Sequence, residues 1–186
     1  MYRRNPELLS RHNSRLLIVD MQEKLLPHIA GHEAVLKNTL KLLKGAELLG
    51  VPFIATEQYP QGLGPTVAPL AERIPDRPSK LRFSAAECLN WDFCRTEETR
   101  RFVVLAGLEA HICLLQTACD LEAMGYSAVV VADAIGSRNP LDREIALRRL
   151  DRYGVTNVTT ESVLFEWCEQ AGTSEFKAIS QLVKEG

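Results

Sequence analysis

Three kinds of side chain in this sequence could cooperate in covalent chemistry if the fold brings them to one place: the thiol of Cys113, the carboxylate of Asp20, and a cation at Lys80 or Arg82. Cys113 lies in LAGLEAHICLLQTACDLEAMGY (105–126), which begins as the end of an apolar strand, turns at Gly107 and continues as a helix. A helix N-terminus favours negative charge, and so the thiolate over the thiol, which suits a nucleophile. The same position equally suits a small apolar filler, because free cysteines are often buried and inert. Asp20 directly follows LLIV. An acid there reads either as a helix N-cap or as a general base for a nearby thiol. Thiolate and carboxylate side by side repel, so a cation should be close. Lys80 and Arg82, in PSKLRFSA, are the candidates, and each read alone is a solvated surface residue.

Alternating strands and helices would have to position these groups. RLLIVD (15–20), VPFIAT (51–56), FVVLAG (102–107), SAVVVADA (127–134) and VTNVTT (155–160) are short apolar, β-branched runs. Such runs form strands buried on both faces, as in parallel sheets. Between them lie segments of helical period. One covers 32–49, with Gly50 as its stop and Pro52 blocking continuation; another covers about 111–124, closed by Gly125. A third, about 140–152, starts with Asn139 as cap and Pro140 at its first position, and ends by Gly154. This alternation predicts an α/β fold: a three-layer α/β/α sandwich with a mostly parallel central sheet and Rossmann-like topology. Ligands of such sheets bind outside the carboxyl ends of the strands, the edge to which Asp20 and Cys113 both belong. The stretch QYPQGLGPTVAPLAERIPDRPS is rich in Pro and Gly and predicts loops with one short helix near 66–73.

Composition narrows the function classes. With 186 residues, one domain over 1–186 is expected, led by a short polar arm at 1–14 that has no apolar segment of the signal-peptide kind. The net charge of -2 and the lack of a basic stripe argue against nucleic acid as a partner. No apolar run is long enough to cross a bilayer. The five cysteines are odd in number and include no C-x-x-C pair, which fits a reducing, cytoplasmic setting and neither a disulfide framework nor a zinc site. His28 and His32 are four apart with Gly31 between them, which does not make a metal pair. No G-x-G-x-x-G or Walker loop follows a strand, so no nucleotide cofactor is expected.

LLIVDMQ (16–22), TEQYPQGLG (56–64), SKLRFSA (79–85), GLEAHICLLQTACDL (107–121) and VVVADAIGSR (129–138) occur in an order and spacing that resembles the isochorismatase-like cysteine hydrolases. The closest likeness is to the branch carrying EQYP-x-GLG and G-[IL]-E-x-H-x-C. The resemblance implies an isochorismatase-like fold and a catalytic triad of Asp20, Lys80 and Cys113. Cys113 would be the nucleophile, Asp20 the proton acceptor, and Lys80 the balancing cation. It further implies a cis peptide at Leu108–Glu109 and an oxyanion hole from the backbone N–H groups of Glu109 and Cys113. Gln22, Glu57, Tyr59, Phe83 and Glu109 are the expected substrate-pocket residues. Relatives that bind a metal carry D-x-H where this chain has Glu57, Gln58 and Tyr59, so no metal is expected. The expected reaction is hydrolysis of a small amide or related C–N substrate through a thioester-type intermediate, by a homo-oligomer, dimer or larger. Two rival readings remain: a non-catalytic scaffold of the same fold, and a thiol redox protein using Cys113 with Cys119.

Overall fold

The computed structural model describes residues 3–95 and 97–185. Six strands form one sheet in the order β3-β2-β1-β4-β5-β6. They are β1 (Ser14–Val19), β2 (Phe53–Gln58), β3 (Ser79–Lys80), β4 (Phe102–Leu108), β5 (Ser127–Gly136) and β6 (Thr156–Val158). Every pairing is parallel. The helices are α1 (His32–Leu49), α2 (Pro60–Leu63), α3 (Ala68–Ala71), α4 (Leu115–Ala123), α5 (Pro140–Arg152), α6 (Thr160–Cys168) and α7 (Ser174–Lys184). The architecture is the three-layer α/β/α sandwich that the alternating pattern predicts.

Period-two alternation along the strands divides the core in two. Leu16, Ile18, Val104, Ala106, Val129 and Val131 face one side, where α1, α6 and α7 supply Leu42, Ala46, Leu164, Trp167 and Ile179. Leu17, Val19, Val103, Leu105 and Val130 face the other, against Leu114, Ala118 and Leu121 around α4 and Ala146 and Leu150 of α5. Both faces are covered, which is why the strands read as unbroken apolar runs. The first layer is packed closely enough that a Cβ on Gly45 of α1 would meet Leu164 Cδ2 of α6 at 2.1 Å.

Three local features differ from the expectation. The sixth strand stops at Val158, because Thr159 turns outward and caps α6, its side chain accepting from the Ser162 N–H. The helix expected over 66–73 covers only Ala68–Ala71. The two-residue β3 and the helices α6 and α7 had no counterpart in the sequence pattern, although Thr173 caps α7 by accepting from the Phe176 N–H.

Candidate active site

The ends of β1, β2, β3 and β4 converge at the carboxyl edge of the sheet. β1 and β4 come close enough there that only glycine fits at 107. A Cβ at that position would lie 2.1 Å from the Val19 carbonyl oxygen, and φ is +116°. One residue past β1, Asp20 adopts a left-handed conformation with φ 51°. Its N–H donates to the Thr56 carbonyl at 3.1 Å, which extends the β1–β2 ladder by one bond and turns the side chain into the edge. Asp, with its short polar side chain, tolerates this region better than most residues.

The Asp20 side chain is fully buried and doubly bound. Thr56 Oγ1 donates to Oδ1 at 2.8 Å, and Lys80 Nζ donates to Oδ2 at 2.7 Å. Lys80 pairs across from Gln58 in the β2–β3 ladder. Its ammonium makes two further short bonds, to Gln58 Oε1 at 2.6 Å and to the Phe83 carbonyl at 2.8 Å. An ammonium has three protons, which matches the number of these short acceptors. The Arg82 carbonyl lies further off, at 3.4 Å. Arg82, the other candidate cation, sends its guanidinium away to Glu87 at 2.8 Å.

Cys113 enters from β4 through a turn of unusual winding. Residues Ala110–Leu114 form one π turn, and the α-helical winding of α4 starts only at Leu115. Ile112 and Leu114, the neighbours of Cys113 on either side, both donate their N–H to the Glu109 carbonyl. Thr117 ties the turn to the segment that carries Lys80. Its Oγ1 donates to the Cys113 carbonyl at 2.6 Å and accepts from the Ala85 N–H at 2.8 Å. No described peptide bond is cis, so the expected cis bond at Leu108–Glu109 is corrected. Leu108 is still paired with Gly136 as β4 ends, and Glu109 continues in ordinary extended backbone, φ -83° and ψ 142°.

Cys113 is 5% exposed, and its Sγ lies 3.9 Å from Gln58 Oε1. Burial pushes its pKa up to about 12, the Asp20 charge pushes in the same direction, and Lys80 opposes both without overcoming them. This corrects the expectation of an acidic thiol at a helix start. A thiol raised this far is protonated near neutral pH.

The structure therefore brings together Asp20, Lys80 and Cys113, and adds Gln58, Thr56 and Thr117, which the sequence reading did not nominate. Of the expected pocket residues, three are committed to holding backbone. Gln22 is fully buried; its amide donates to the carbonyls of Gln58 and Gly64 and accepts from the Gln58 N–H. Glu57 Oε1 accepts from the N–H and hydroxyl of Thr66, both at 2.8 Å. Glu109 Oε2 accepts from the N–H and Nε of Arg138 at 3.0 and 3.1 Å. Tyr59 and Phe83 are half exposed and remain available to a ligand. Cys119, proposed as a redox partner, lies on α4, and both it and Cys113 are free.

Comparison with known proteins bears on this arrangement. The family model described as the isochorismatase domain matches residues 14–162, from the first residue of β1 into α6. The chain belongs to the isochorismatase family. A Bos taurus isochorismatase domain-containing protein 2 is 40% identical over 173 residues, covering 93% of this chain and 84% of the relative. The secreted isochorismatase effector Isc1 of Phytophthora sojae is 34% identical over 180 residues, covering 94% and 86%. Among solved structures, the MAR1 ribonuclease of Caenorhabditis elegans superposes with a TM-score of 0.84 at 32% identity, covering 95% of this chain and 92% of its own. The isochorismatase-like hydrolase fold is thus shared along nearly the whole chain.

Proposed function

We propose that this isochorismatase-family chain is a cysteine-dependent hydrolase of a small amide or related C–N substrate. The observation that carries the reading is a buried Asp20–Lys80 ion pair, 0% and 2% exposed, beside a buried thiol. In this reading the resting thiol is neutral, and sulfur adds to the substrate carbonyl carbon as its proton passes to the Asp20 carboxylate. The backbone N–H groups of Glu109 and Cys113 receive the developing oxyanion. Collapse expels ammonia or an amine, which takes the proton from Asp20 and leaves a thioester. Water then attacks the thioester, Asp20 accepting its proton, and the acid and free thiol are released. Lys80 supplies the cation that balances the negative charge as it passes between Asp20 and the sulfur.

The reading includes no metal. Glu57, which stands where metal-binding relatives carry their Asp, is already bound to Thr66, with the Arg77 guanidinium 3.6 Å away. It includes a homo-oligomer, since Tyr59, Leu81 and Phe83 leave apolar surface exposed around the site. It also includes a cytoplasmic location, although the Phytophthora sojae relative is named as secreted. No helix among the described residues is long and apolar enough to cross a membrane. The name of the nematode structure raises RNA as a substrate. A net charge of -2 without a basic stripe does not favour it.

The test is a screen of small amides and ureido acids by ammonia release, with wild type, Cys113→Ala and an RNA arm run in parallel. Wild type should turn over at least one amide, and Cys113→Ala should lose about 10³-fold or more of that activity. Retention of activity by Cys113→Ala, or cleavage of RNA alone, would overturn the reading.

A further inference from the structure

The three shortest bonds of the Lys80 ammonium all go to acceptors other than the sulfur: Asp20 Oδ2, Gln58 Oε1 and the Phe83 carbonyl. If the thiol ionises, the ammonium must give up one of these acceptors to hold the thiolate. Asp20 is charged, and surrendering it would leave a buried carboxylate unpaired. The Phe83 carbonyl belongs to the backbone and cannot follow or yield without moving the chain. Gln58 is the neutral side chain of the three, and its Oε1 is also 3.9 Å from Cys113 Sγ, between the two groups that must meet.

The orientation of that amide is fixed from outside. Gln58 Nε2 donates to the Leu81 carbonyl at 2.9 Å, so Oε1 must face the ammonium and the thiol. A flipped amide would set its NH₂ against the ammonium and its oxygen against a carbonyl. The main chain is held as well: Gln22 brackets both the N–H and the carbonyl of Gln58.

We propose that Gln58 is a positioning residue that keeps the nucleophile in reserve. Its Oε1 occupies the Lys80 proton while sulfur is protonated, and releases that proton to sulfur when negative charge forms there. Resting and activated sites then differ by the exchange of one hydrogen bond. This rests on the cysteine-hydrolase reading for its purpose but not for its test. The charged and titratable groups around the thiol are Asp20 after β1, Lys80 on β3 and Cys88 on the short helical turn Ala86–Leu89, whose own thiol also responds to Lys80 and Asp20.

Two variants separate this role from mere packing. Gln58→Met keeps the length and removes the acceptor. One Lys80 proton is then unpaired beside the neutral thiol and paired beside the thiolate, so ionisation becomes easier. Gln58→Glu keeps the shape and adds a negative charge, so ionisation becomes harder. The measurement is the pH dependence of alkylation at Cys113, read by mass spectrometry of its peptide so that Cys88 does not interfere. The profile should move down by about one pH unit, a tenfold rate gain on its rising limb, in Gln58→Met. It should move up in Gln58→Glu. A packing role would leave the Gln58→Met profile in place, whereas Gln58→Glu moves up through its added charge in either case and serves as the control that position 58 is felt at the sulfur. An unmoved or upward Gln58→Met profile in the folded protein, or an unmoved Gln58→Glu profile, would overturn the proposal. If Gln58→Met does not fold, Gln58→Leu, which also removes the acceptor without adding charge, decides: a downward shift supports the proposal and none overturns it. Alkylation requires no substrate, so a protein that turns over no amide fails the hydrolase reading and leaves this result standing.

Discussion

At the amino end of the strands, Arg15 lies 4.7 Å over the Trp91 ring, donates to the Arg100 carbonyl and pairs with Glu98 at 3.1 Å, the two side chains 17% and 32% exposed. At the carboxyl end, Lys80 and Asp20 pair at 2.7 Å with almost no exposure. Both ends use charge to join segments far apart in sequence, but only the first leaves that charge in contact with water. A pair that stays hydrated is stabilising by about 0–1 kcal/mol. A fully buried pair must overcome desolvation of several kcal/mol per ion and is often no better than an apolar substitute. The amino-end pair can be understood as fastening. The carboxyl-end pair is difficult to understand as fastening alone, and its position against a thiol points to chemistry.

The comparison breaks most visibly on removal of one buried partner. Lys80→Met leaves Asp20 buried without its cation and should destabilise the protein by about 3–5 kcal/mol in denaturant unfolding. The double variant with Asp20→Asn should recover part of that loss. If Lys80→Met changes stability by less than ~1 kcal/mol, the two ends of the sheet are energetically alike and the contrast fails.

A smaller effect, confined to alkaline pH, should come from the thiol. Its pKa is raised in the folded protein to about 12, above a free-thiol value of ~8.5. A group raised in this way contributes stability that is present below ~8.5 and is lost as pH climbs towards the folded value. One pH unit above the free-thiol value the loss is on the order of 1.4 kcal/mol. Unfolding of wild type and Cys113→Ala at neutral pH and near pH ~9.5 should show wild type losing more. The other cysteines are common to both proteins and cancel. Equal losses would mean that the thiol is no harder to ionise folded than unfolded.

The smallest effect sharpens the contrast from the other side. The Arg82–Glu87 pair is 78% and 66% exposed although its backbone adjoins the buried cluster. Arg82→Ala should remain within about 0.5 kcal/mol of wild type and leave the Cys113 alkylation profile unmoved. A change in that profile would return Arg82 to the list of cations that act on the thiol.

What could be read from the sequence follows from how each feature is encoded. Strands buried on both faces appear as apolar runs, so β1, β2, β4 and β5 stood out, and the edge rule placed Asp20 beside Cys113. β3 is two polar residues, Ser79 and Lys80, whose strand character comes only from pairing with the end of β2. Lys80 was therefore found by family resemblance and not by pattern. Gln58 was passed over because a glutamine has no titration or ligand signature, yet as the last residue of β2 it obeys the same edge rule that located Asp20. Gln22, Glu57 and Glu109 are expected in the pocket from the family resemblance, and the structure shows each also bonded to backbone. Whether such a group faces a ligand or a backbone amide depends on loop conformation, which residue type does not encode. Thr159, the cap of α6, lies inside the run 155–160, whose strand reading extends two residues too far, and Thr173, the cap of α7, follows the end of α6.

The single π turn at Ala110–Leu114 also sets helical phase. Such a turn is an α-helical segment carrying one additional residue, so everything before it is rotated by roughly 100° relative to an uninterrupted α-helix. The stripe that α4 presents to the sheet, Leu115, Ala118 and Leu121, is fixed by the core. Cys113 is fixed by a different requirement, proximity to Gln58 and the Lys80–Asp20 pair. The extra residue lets one continuous helix satisfy both, decoupling the direction of the nucleophile from the register of the hydrophobic face behind it. Substitutions that repack α4 against the sheet can then accumulate without re-aiming the sulfur, provided the chain between Glu109 and Leu115 keeps its length.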